Sequence, residues 1–394
     1  VTITEHVGAY TDVGEVDTGV GGPGVVDRAS ARRFVDTHVV PYADDWDRAG
    51  RIPEELLDRM RAAGLWAPFL PRKVGGAGLD MVRLGAVHEE VGRGCSSVRS
   101  LLTVHTMVSW AVHRFGTPEQ KRRWLPGLAA GRVLGAFCLT EPQAGSDATG
   151  IASTAVRRDG TWVLTGVKKW ITNGQRADLL LVFARTERGI GAFLLPSDAP
   201  GVEITPVTDI LGTRASMLAT VTMREAVAGP DALLGPDGFA AGMVMTGVLD
   251  LGRYSVAAGS VGIVQGCLDA CADYAAARSV GGARLRDLQL IRAKITDMVT
   301  DAQAGRLLYE RAGQLRDAGD QATLMATFVA KYFASRAAAR HAGEAVQVHG
   351  ALGCGGDYPV ARFYRDAKVM EIIEGSSEIQ RITIAEDAFR GVRL

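Results

Sequence analysis

Apolar positions first fall into a helical rhythm at about Val26, in VDRASARRFVDTHVVPYADDWDRAG. A break at Arg51-Ile52-Pro53 follows, and then EELLDRMRAAGLW, with Pro53 suited to a first helical turn and Gly64 to a helix end. The next stretch, LPRKVGGAGLD, carries Gly75, Gly76 and Gly78 but lacks the GxGxxG spacing of a dinucleotide loop, so it reads as a turn. Helical spacing returns over about Met81–Glu90, Val98–Phe115 and Pro118–Leu128. Residues 1–25, rich in Gly, Val and Thr with no firm period, read as an extension.

From Leu134 to about Pro236 the period changes. Short runs rich in β-formers (LGAFCLT, GIASTAVR, TWVLTG, DLLLVFAR, GAFLLP, GVEITPV and MLATVTM) are separated by turn pairs such as Asp159-Gly160 and Asn173-Gly174. No helical crossover lies between them, which predicts a largely antiparallel sheet, a small barrel or sandwich. Long helices resume at Gly238. Leu288, Ile291, Ile295, Met298, Ala302 and Tyr309 mark one buried stripe, and Val256, Ile263, Cys267, Cys271 and Tyr274 another. The expected fold is α+β: an N-terminal helical domain over 26–133, a middle β domain over 134–236 and a C-terminal four-helix bundle over 237–394.

Length and charge narrow the classes of function. A chain of 394 residues suits two or three domains and can enclose a cofactor. Its 44 basic residues balance 44 acidic ones, so no net field draws nucleic acid or an anionic membrane. Five scattered cysteines (Cys95, Cys138, Cys267, Cys271 and Cys354) form neither a CxxC pair nor a Cys/His cluster; they read as buried thiols, with no metal site. The first residues lack a basic start and an apolar core, and no run of about 18 apolar residues occurs. The expectation is a soluble, cytoplasmic protein acting on small molecules.

Three stretches can carry chemistry. In RDAKVMEIIEGSSEIQR, Glu374 precedes Gly375, Ser376 and Ser377, and the helical pattern resumes at Ile379. Glycine breaks the chain and serine caps the next helix, so Glu374 falls on a short connection between two helices. Read alone, it is a solvated loop glutamate. In FCLTEPQAGSD, an aromatic and a threonine end a strand ahead of a proline turn, offering an aromatic face, a hydroxyl and backbone N–H groups to a flat ligand. In KKWITNG, strand alternation places Trp170 and Thr172 on one face.

Together with PEQKRRWLPGLAAG, VQVHGALG and a helix bearing Arg253, these motifs resemble the acyl-CoA dehydrogenase family from about Val26 to the C-terminus. The resemblance implies FAD, a homotetramer built as a dimer of dimers, and oxidation of an acyl-CoA or acyl carrier protein thioester between its α and β carbons. It implies that Phe137, Leu139, Thr140 and Ser146 line the flavin, with Ser146 also touching the pantetheine arm. Trp170, with Ile171 beside it, shields one flavin face, while Thr172 donates near N5. Arg278 and Gln289 reach a neighbouring subunit's FAD, as do Gln347, Val348 and Gly350 for its pyrophosphate. Ser376 and Glu378 cover the dinucleotide, and Asp250, Arg253 and Gly375 lie near the thioester. Glu374 becomes the base that takes the α-proton, strengthened by burial against Ile372 and Ile373. Other members place the base just before the arginine matched by Arg253, where this chain has Gly252.

The chain departs from the family pattern in places. Gly281 stands where a phenylalanine usually packs on the neighbour's cofactor, Ala351 replaces a frequent glycine, and Ile373 replaces a frequent aromatic. GCSSVRSLLTVHTM and YRDAKVMEIIEGSSE most resemble the branch serving polyketide biosynthesis, including methoxymalonyl-type extender units, which implies a short, polar acyl group on a phosphopantetheine arm. An electron-transfer flavoprotein or oxygen is the expected electron acceptor. A flavin monooxygenase on the same scaffold is the alternative from another reaction class, and a binding protein that has lost the chemistry is a third. His105 and His349 read as structural side chains.

Overall fold

The computed structural model describes residues 27–391, so the extension over residues 1–25 lies outside it. Six α-helices come first: α1 (Arg28–His38), α2 (Ala43–Ala49), α3 (Glu54–Ala62), α4 (Met81–Gly94), α5 (Ser96–Phe115) and α6 (Pro118–Ala129). Their ends follow local chemistry. Asp27 and Thr117 close capping boxes on α1 and α6, and Pro53 immediately precedes α3. The glycine-bearing loop is a tight turn, as expected: a Cβ on Gly76 would sit 2.0 Å from the Leu70 carbonyl oxygen.

The middle strands are β1 (Gly135–Cys138), β2 (Thr154–Arg158), β3 (Thr161–Ile171), β4 (Leu179–Thr186), β5 (Gly189–Pro196), β6 (Val202–Pro206), β7 (Ala219–Ala228) and β8 (Leu233–Leu234). They form an eight-stranded sheet in the order β6-β7-β3-β2-β4-β5-β8, with β1 paired to β4. Most ladders are antiparallel, as the pattern predicts, but β1 runs parallel to β4 and makes the sheet mixed. β2 also meets β4 in parallel and β3 runs antiparallel to β2, so the chain reverses at the β2–β3 turn and again after β3, returning to β4 in the sense of β1. Ala136, Cys138, Leu164, Val182, Phe193 and Val221 share one buried cluster on this sheet.

The C-terminal third holds α7 (Thr246–Ala277), α8 (Gln289–Asp317), α9 (Thr323–His349), α10 (Val360–Ile372) and α11 (Ser377–Phe389), with a hairpin of β9 (Ser279–Val280) and β10 (Ala283–Arg284) after α7. α7 is the axis, packed against α4, α5, α8, α9 and α10. With the turn before it, α7 is apolar and long enough to cross a membrane, yet most of that stretch is buried by its neighbours. Val256, Ile263, Cys267 and Cys271 are buried on it as their spacing predicts, as are Met298, Ala302 and Tyr309 on α8. All five cysteines are free; four are buried, but Cys354 is exposed, against the expectation, in the turn that follows α9.

Two joints fix the sheet on the helices. His105 of α5 is linked to the Leu128 carbonyl through Nε2 at 2.9 Å and accepts from the Gly135 N–H through Nδ1 at 3.2 Å, tying α5, α6 and β1 together. On the other side the Thr213 N–H donates to Asp366 of α10 at 2.6 Å, and a Cβ on Gly212 would lie 2.4 Å from the Arg365 carbonyl oxygen.

Candidate active site

Only four residues, 373–376, separate α10 from α11. Ser376 caps α11 by accepting from the Ile379 N–H at 3.5 Å, as the sequence predicts. Glu374 has φ +54° and Gly375 φ +89°, two left-handed residues in succession. That conformation costs a non-glycine residue about 1–2 kcal/mol, so the surrounding structure must impose it. It directs the Glu374 carboxylate at α7, where Gly252 leaves room: a Cβ on Gly252 would lie 2.4 Å from Oε2. Oε2 is enclosed and has no hydrogen-bond partner among the described residues.

Burial pushes the Glu374 carboxyl up to about 7, with Arg253, Arg99 and Lys331 opposing the rise. The enclosure comes from different neighbours than the sequence suggests. Ile372 is 57% exposed at the end of α10, and only Ile373 packs partly into the bundle core.

Three cations surround this acid. Arg253 of α7 has its guanidinium over the Phe328 ring at 4.4 Å, and its enclosed Nε has no hydrogen-bond partner among the described residues. Arg99 of α5 is fully buried and donates to Thr103 Oγ1 at 3.0 Å, Ser100 Oγ at 2.9 Å and Met370 Sδ at 3.2 Å. Among the described residues no carboxylate is hydrogen-bonded to it, and burial lowers its pKa to about 10. Lys331 of α9 is buried beside the loop, where burial lowers its pKa to about 8. Sequence reasoning missed Arg99 and Lys331 as site residues. The signal was a single basic residue inside an otherwise uncharged helical run, SSVRSLLTV and TFVAKYFAS.

In the middle domain the two ligand-type motifs lie side by side. Lys168 of β3 is fully buried; its Nζ donates to Glu141 Oε1 at 2.6 Å and to the Leu139 carbonyl at 3.1 Å. The Lys169 N–H donates to the Thr140 carbonyl at 2.9 Å. Burial opposes ionisation of Glu141, but Lys168 and the neighbouring Ser153 and Ala152 donors hold it down at about 2. Leu139 is buried, Phe137 half-buried with an edge contact to Phe183 at 5.4 Å, and Ser146 exposed on the following loop.

Trp170 departs from simple alternation. The β3–β7 register shifts between Lys168 and Ile171, Trp170 has φ +62°, and the strand ends at Ile171, so Thr172 stands in the turn beyond. The bulge leaves the indole 50% exposed while Ile171 is buried. The hydroxyls of Thr140, Ser146 and Thr172 and the indole N–H have no hydrogen-bond partner among the described residues, a donor set suited to a flat heteroaromatic ring. This region is coupled to the Glu374 side: the Asn173 N–H donates to the Ser216 carbonyl at 2.9 Å, in the same loop that Thr213 anchors on α10.

Other residues singled out in the sequence lie elsewhere. Arg278 caps α7, and at about 1.5 Å per helical residue it stands about 37 Å from Arg253. Gln289 opens α8 beyond the β9–β10 hairpin. Gln347, Val348 and Gly350 close α9 at that same end, where His349 stacks on Tyr274 at 4.3 Å. Gln347 and Gly350 are exposed and Val348 is buried. Gly281 occupies the hairpin turn at φ +61°, and a Cβ there would meet nothing within 4 Å. Asp250 is buried and paired with Arg316 of α8, away from Glu374. Ser376 is half-buried and Glu378 exposed, both at the start of α11.

Comparison with known sequences finds three matches in chain order: "Acyl-CoA dehydrogenase, N-terminal domain" over residues 27–132, "middle domain" over 136–226 and "C-terminal domain" over 237–389. The mitochondrial short-chain specific acyl-CoA dehydrogenase of Bos taurus is 38% identical over 373 residues, spanning 93% of this chain and 90% of its own. Among solved structures, a glutaryl-CoA dehydrogenase from Mycobacterium smegmatis in complex with FADH2 superposes with TM-score 0.88 at 30% identity, covering 93% of this chain and 94% of that one. FkbI, for biosynthesis of the methoxymalonyl extender unit of a polyketide immunosuppressant, gives TM-score 0.85 at 35% identity, covering 92% and 99%.

Proposed function

The chain belongs to the acyl-CoA dehydrogenase family, and on that premise we propose that it oxidises an acyl thioester between its α and β carbons with Glu374 as the base. Members of this family are FAD-dependent oxidoreductases of CH–CH groups. The residues here suit that cofactor: Thr140 is bonded to the segment that carries the half-exposed Trp170 indole and Thr172, and the hydroxyls of Thr140 and Thr172 have no hydrogen-bond partner among the described residues. When bound, FAD accepts the hydride that leaves the β carbon.

The observation that carries this reading is the enclosed Oε2 of Glu374, without a hydrogen-bond partner among the described residues and facing Gly252. A pKa of about 7 leaves a useful fraction ionised near neutrality and makes the carboxylate a stronger base than a solvated one. The Glu374 N–H donates to no described residue, which frees it for the thioester oxygen, where charge builds up as the α-proton leaves. Arg253, one residue beyond Gly252, adds positive potential on the same side. Trp170 would cover the flavin ring from the middle domain, and Phe137, Leu139 and Ile171 would line the same site. Ser376 and Glu378, at the start of α11, would hold the dinucleotide beyond the base.

Arg278, Gln289, Gln347 and Gly350 are too far along the bundle to serve the Glu374 site of their own chain. Their exposure at one end suits contact with the FAD of a second subunit, in a homotetramer. The acyl group is short, with a polar or anionic far end: among the described residues the buried guanidinium of Arg99 has no acid hydrogen-bonded to it, only the through-space charges of Glu374 and Asp366. The glutaryl-CoA dehydrogenase likeness supports that reading, and the FkbI likeness supports the same acyl class on an acyl carrier protein. An electron-transfer flavoprotein is the expected oxidant. A monooxygenase has no use for an enclosed base at this position.

Anaerobic mixing with short-chain and dicarboxylic acyl-CoA thioesters, and with the same acyl groups on a carrier protein, tests the proposal. Bleaching of the flavin by at least one thioester is expected. Glu374→Gln is expected to keep its yellow colour and resist reduction, since the amide cannot take the proton. Reduction of that variant at the wild-type rate overturns the base assignment.

A further inference from the structure

We propose that Lys331 and Gln380 are positioning residues that pin the Glu374 and Gly375 carbonyls and so aim the carboxylate. The inference rests on Glu374 being the base. Lys331 of α9 is 0% exposed; its Nζ donates to the Gly375 carbonyl at 2.7 Å and to the Glu371 carbonyl at 3.5 Å. Gln380 of α11 is also 0% exposed, and its Nε2 donates to the Glu374 carbonyl at 3.2 Å and the Gly375 carbonyl at 3.1 Å. Two buried side chains from two helices thus converge on the carbonyls of a single loop.

A plain helix-capping role accounts for only part of this. Glu371 belongs to the last turn of α10, where an ammonium satisfies a free carbonyl and favours the negative end of the helix dipole. The Gly375 carbonyl lies beyond that helix, yet it receives the shorter bond and both donors. A buried ammonium whose hydrogen bonds go to carbonyls and to no carboxylate is costly, so the loop geometry it holds must matter. With these carbonyls fixed toward α9 and α11, Glu374 is held in its left-handed conformation and its side chain turns the opposite way, to the space left by Gly252. Gly375 completes the fit, since a Cβ there would lie 2.8 Å from Gln380 Nε2.

Lys331 has a second effect that Gln380 lacks. The charges that act on Glu374 are Arg253 from α7, Arg99 from α5 and Lys331 from α9, while Glu371 and Glu378 act on Lys331 itself. The Lys331 charge favours the ionised base; the neutral amide of Gln380 only orients it.

The test compares Lys331→Met, Lys331→Arg and Gln380→Leu with wild type, in rapid anaerobic reduction across pH 5–9 and in an infrared titration of the Glu374 carboxyl band. That band is assigned by difference from Glu374→Gln and needs neither turnover nor cofactor. Gln380→Leu is expected to slow reduction at least tenfold, with thioester affinity changed less than threefold and the titration midpoint unmoved. Lys331→Met is expected to slow reduction similarly and also to move the midpoint to higher pH, and Lys331→Arg to restore it. Wild-type rates and midpoints in the Met and Leu variants overturn the proposal. If Lys331→Met does not fold, Gln380→Leu, which removes the donor without adding charge, carries the rate test, and a wild-type rate there overturns the proposal. Retained reduction in Glu374→Gln instead sinks the base assignment, a distinguishable result.

Discussion

Glu374 and Gly252 share one space: the carboxylate of the first fills the volume that a side chain on the second would need, with only 2.4 Å between Oε2 and a Cβ on residue 252. Gly252→Ala must therefore push the base off its line. A displacement near 1 Å costs about 100-fold in rate when reacting atoms must align. The expected outcome is a folded, yellow variant whose flavin reduction is slower by about that factor while thioester binding persists. Stopped-flow reduction beside equilibrium binding checks it.

The same burial makes Glu374 a stability liability at high pH. Its folded-state pKa is raised from 4.5 to about 7, so between those values the folded state holds the proton more tightly than the unfolded chain. Stability is then lost as pH rises through that window and levels off above it. The loss is on the order of 3 kcal/mol. Glu374→Gln, which has no proton to lose, is expected to match wild type near pH 4.5 and to be more stable at pH 8. Urea melts at the two pH values check the sign.

Lys168 and Glu141 make the opposite case, a buried pair whose loss is expensive. Glu141→Ala leaves the Lys168 ammonium fully buried with only the Leu139 carbonyl to receive it, beside the segment that carries Thr140 and Trp170. Breaking a buried pair from one side costs about 3–5 kcal/mol. The expected outcome is a lower urea midpoint together with weaker FAD retention, read as the flavin-to-protein absorbance ratio after gel filtration. Glu141 is held at about 2, below its ordinary value, so the pair's contribution is present above pH 4.5 and is lost as pH falls through the folded value.

The elements were legible wherever one period ran long enough. The α8 stripe through Met298, Ala302 and Tyr309, the strand runs and the Ser376 cap all follow from local pattern. What escaped depended on distant partners. β1 pairs parallel to β4 because an intervening hairpin returns the chain, which no window around LGAFCLT shows. The Trp170 bulge arises from a register shift against β7, so alternation along KKWITNG misplaced Thr172. Glu374 stood out because a carboxylate before Gly-Ser-Ser breaks a helix visibly. Arg99, Lys331 and Gln380 did not, because only tertiary packing brings α5, α9 and α11 to one loop.

Arg99 offers the sharpest prediction about substrate. The guanidinium is always charged in water, yet here it is fully buried, its hydrogen bonds go to Ser100, Thr103 and the Met370 sulfur, and its Nε has no partner among the described residues. A buried cation with no hydrogen-bonded acid is destabilised: burial lowers its pKa to about 10, with the charges of Glu374 and Asp366 opposing the fall. A substrate with a carboxylate or hydroxyl at the far end of a short acyl group would complete that site, at about 2–4 kcal/mol for a desolvated charge-assisted contact. Arg99→Met keeps the apolar bulk and removes the charge. It is expected to lower kcat/KM for a dicarboxylic thioester by at least about 30-fold, consistent with about 2 kcal/mol or more, while an unsubstituted butyryl thioester gains or holds. Equal losses on both substrates would mean that Arg99 acts through Glu374, and the pH midpoint of reduction would then rise in the variant. An unchanged ratio with an unchanged midpoint would remove Arg99 from the acyl site.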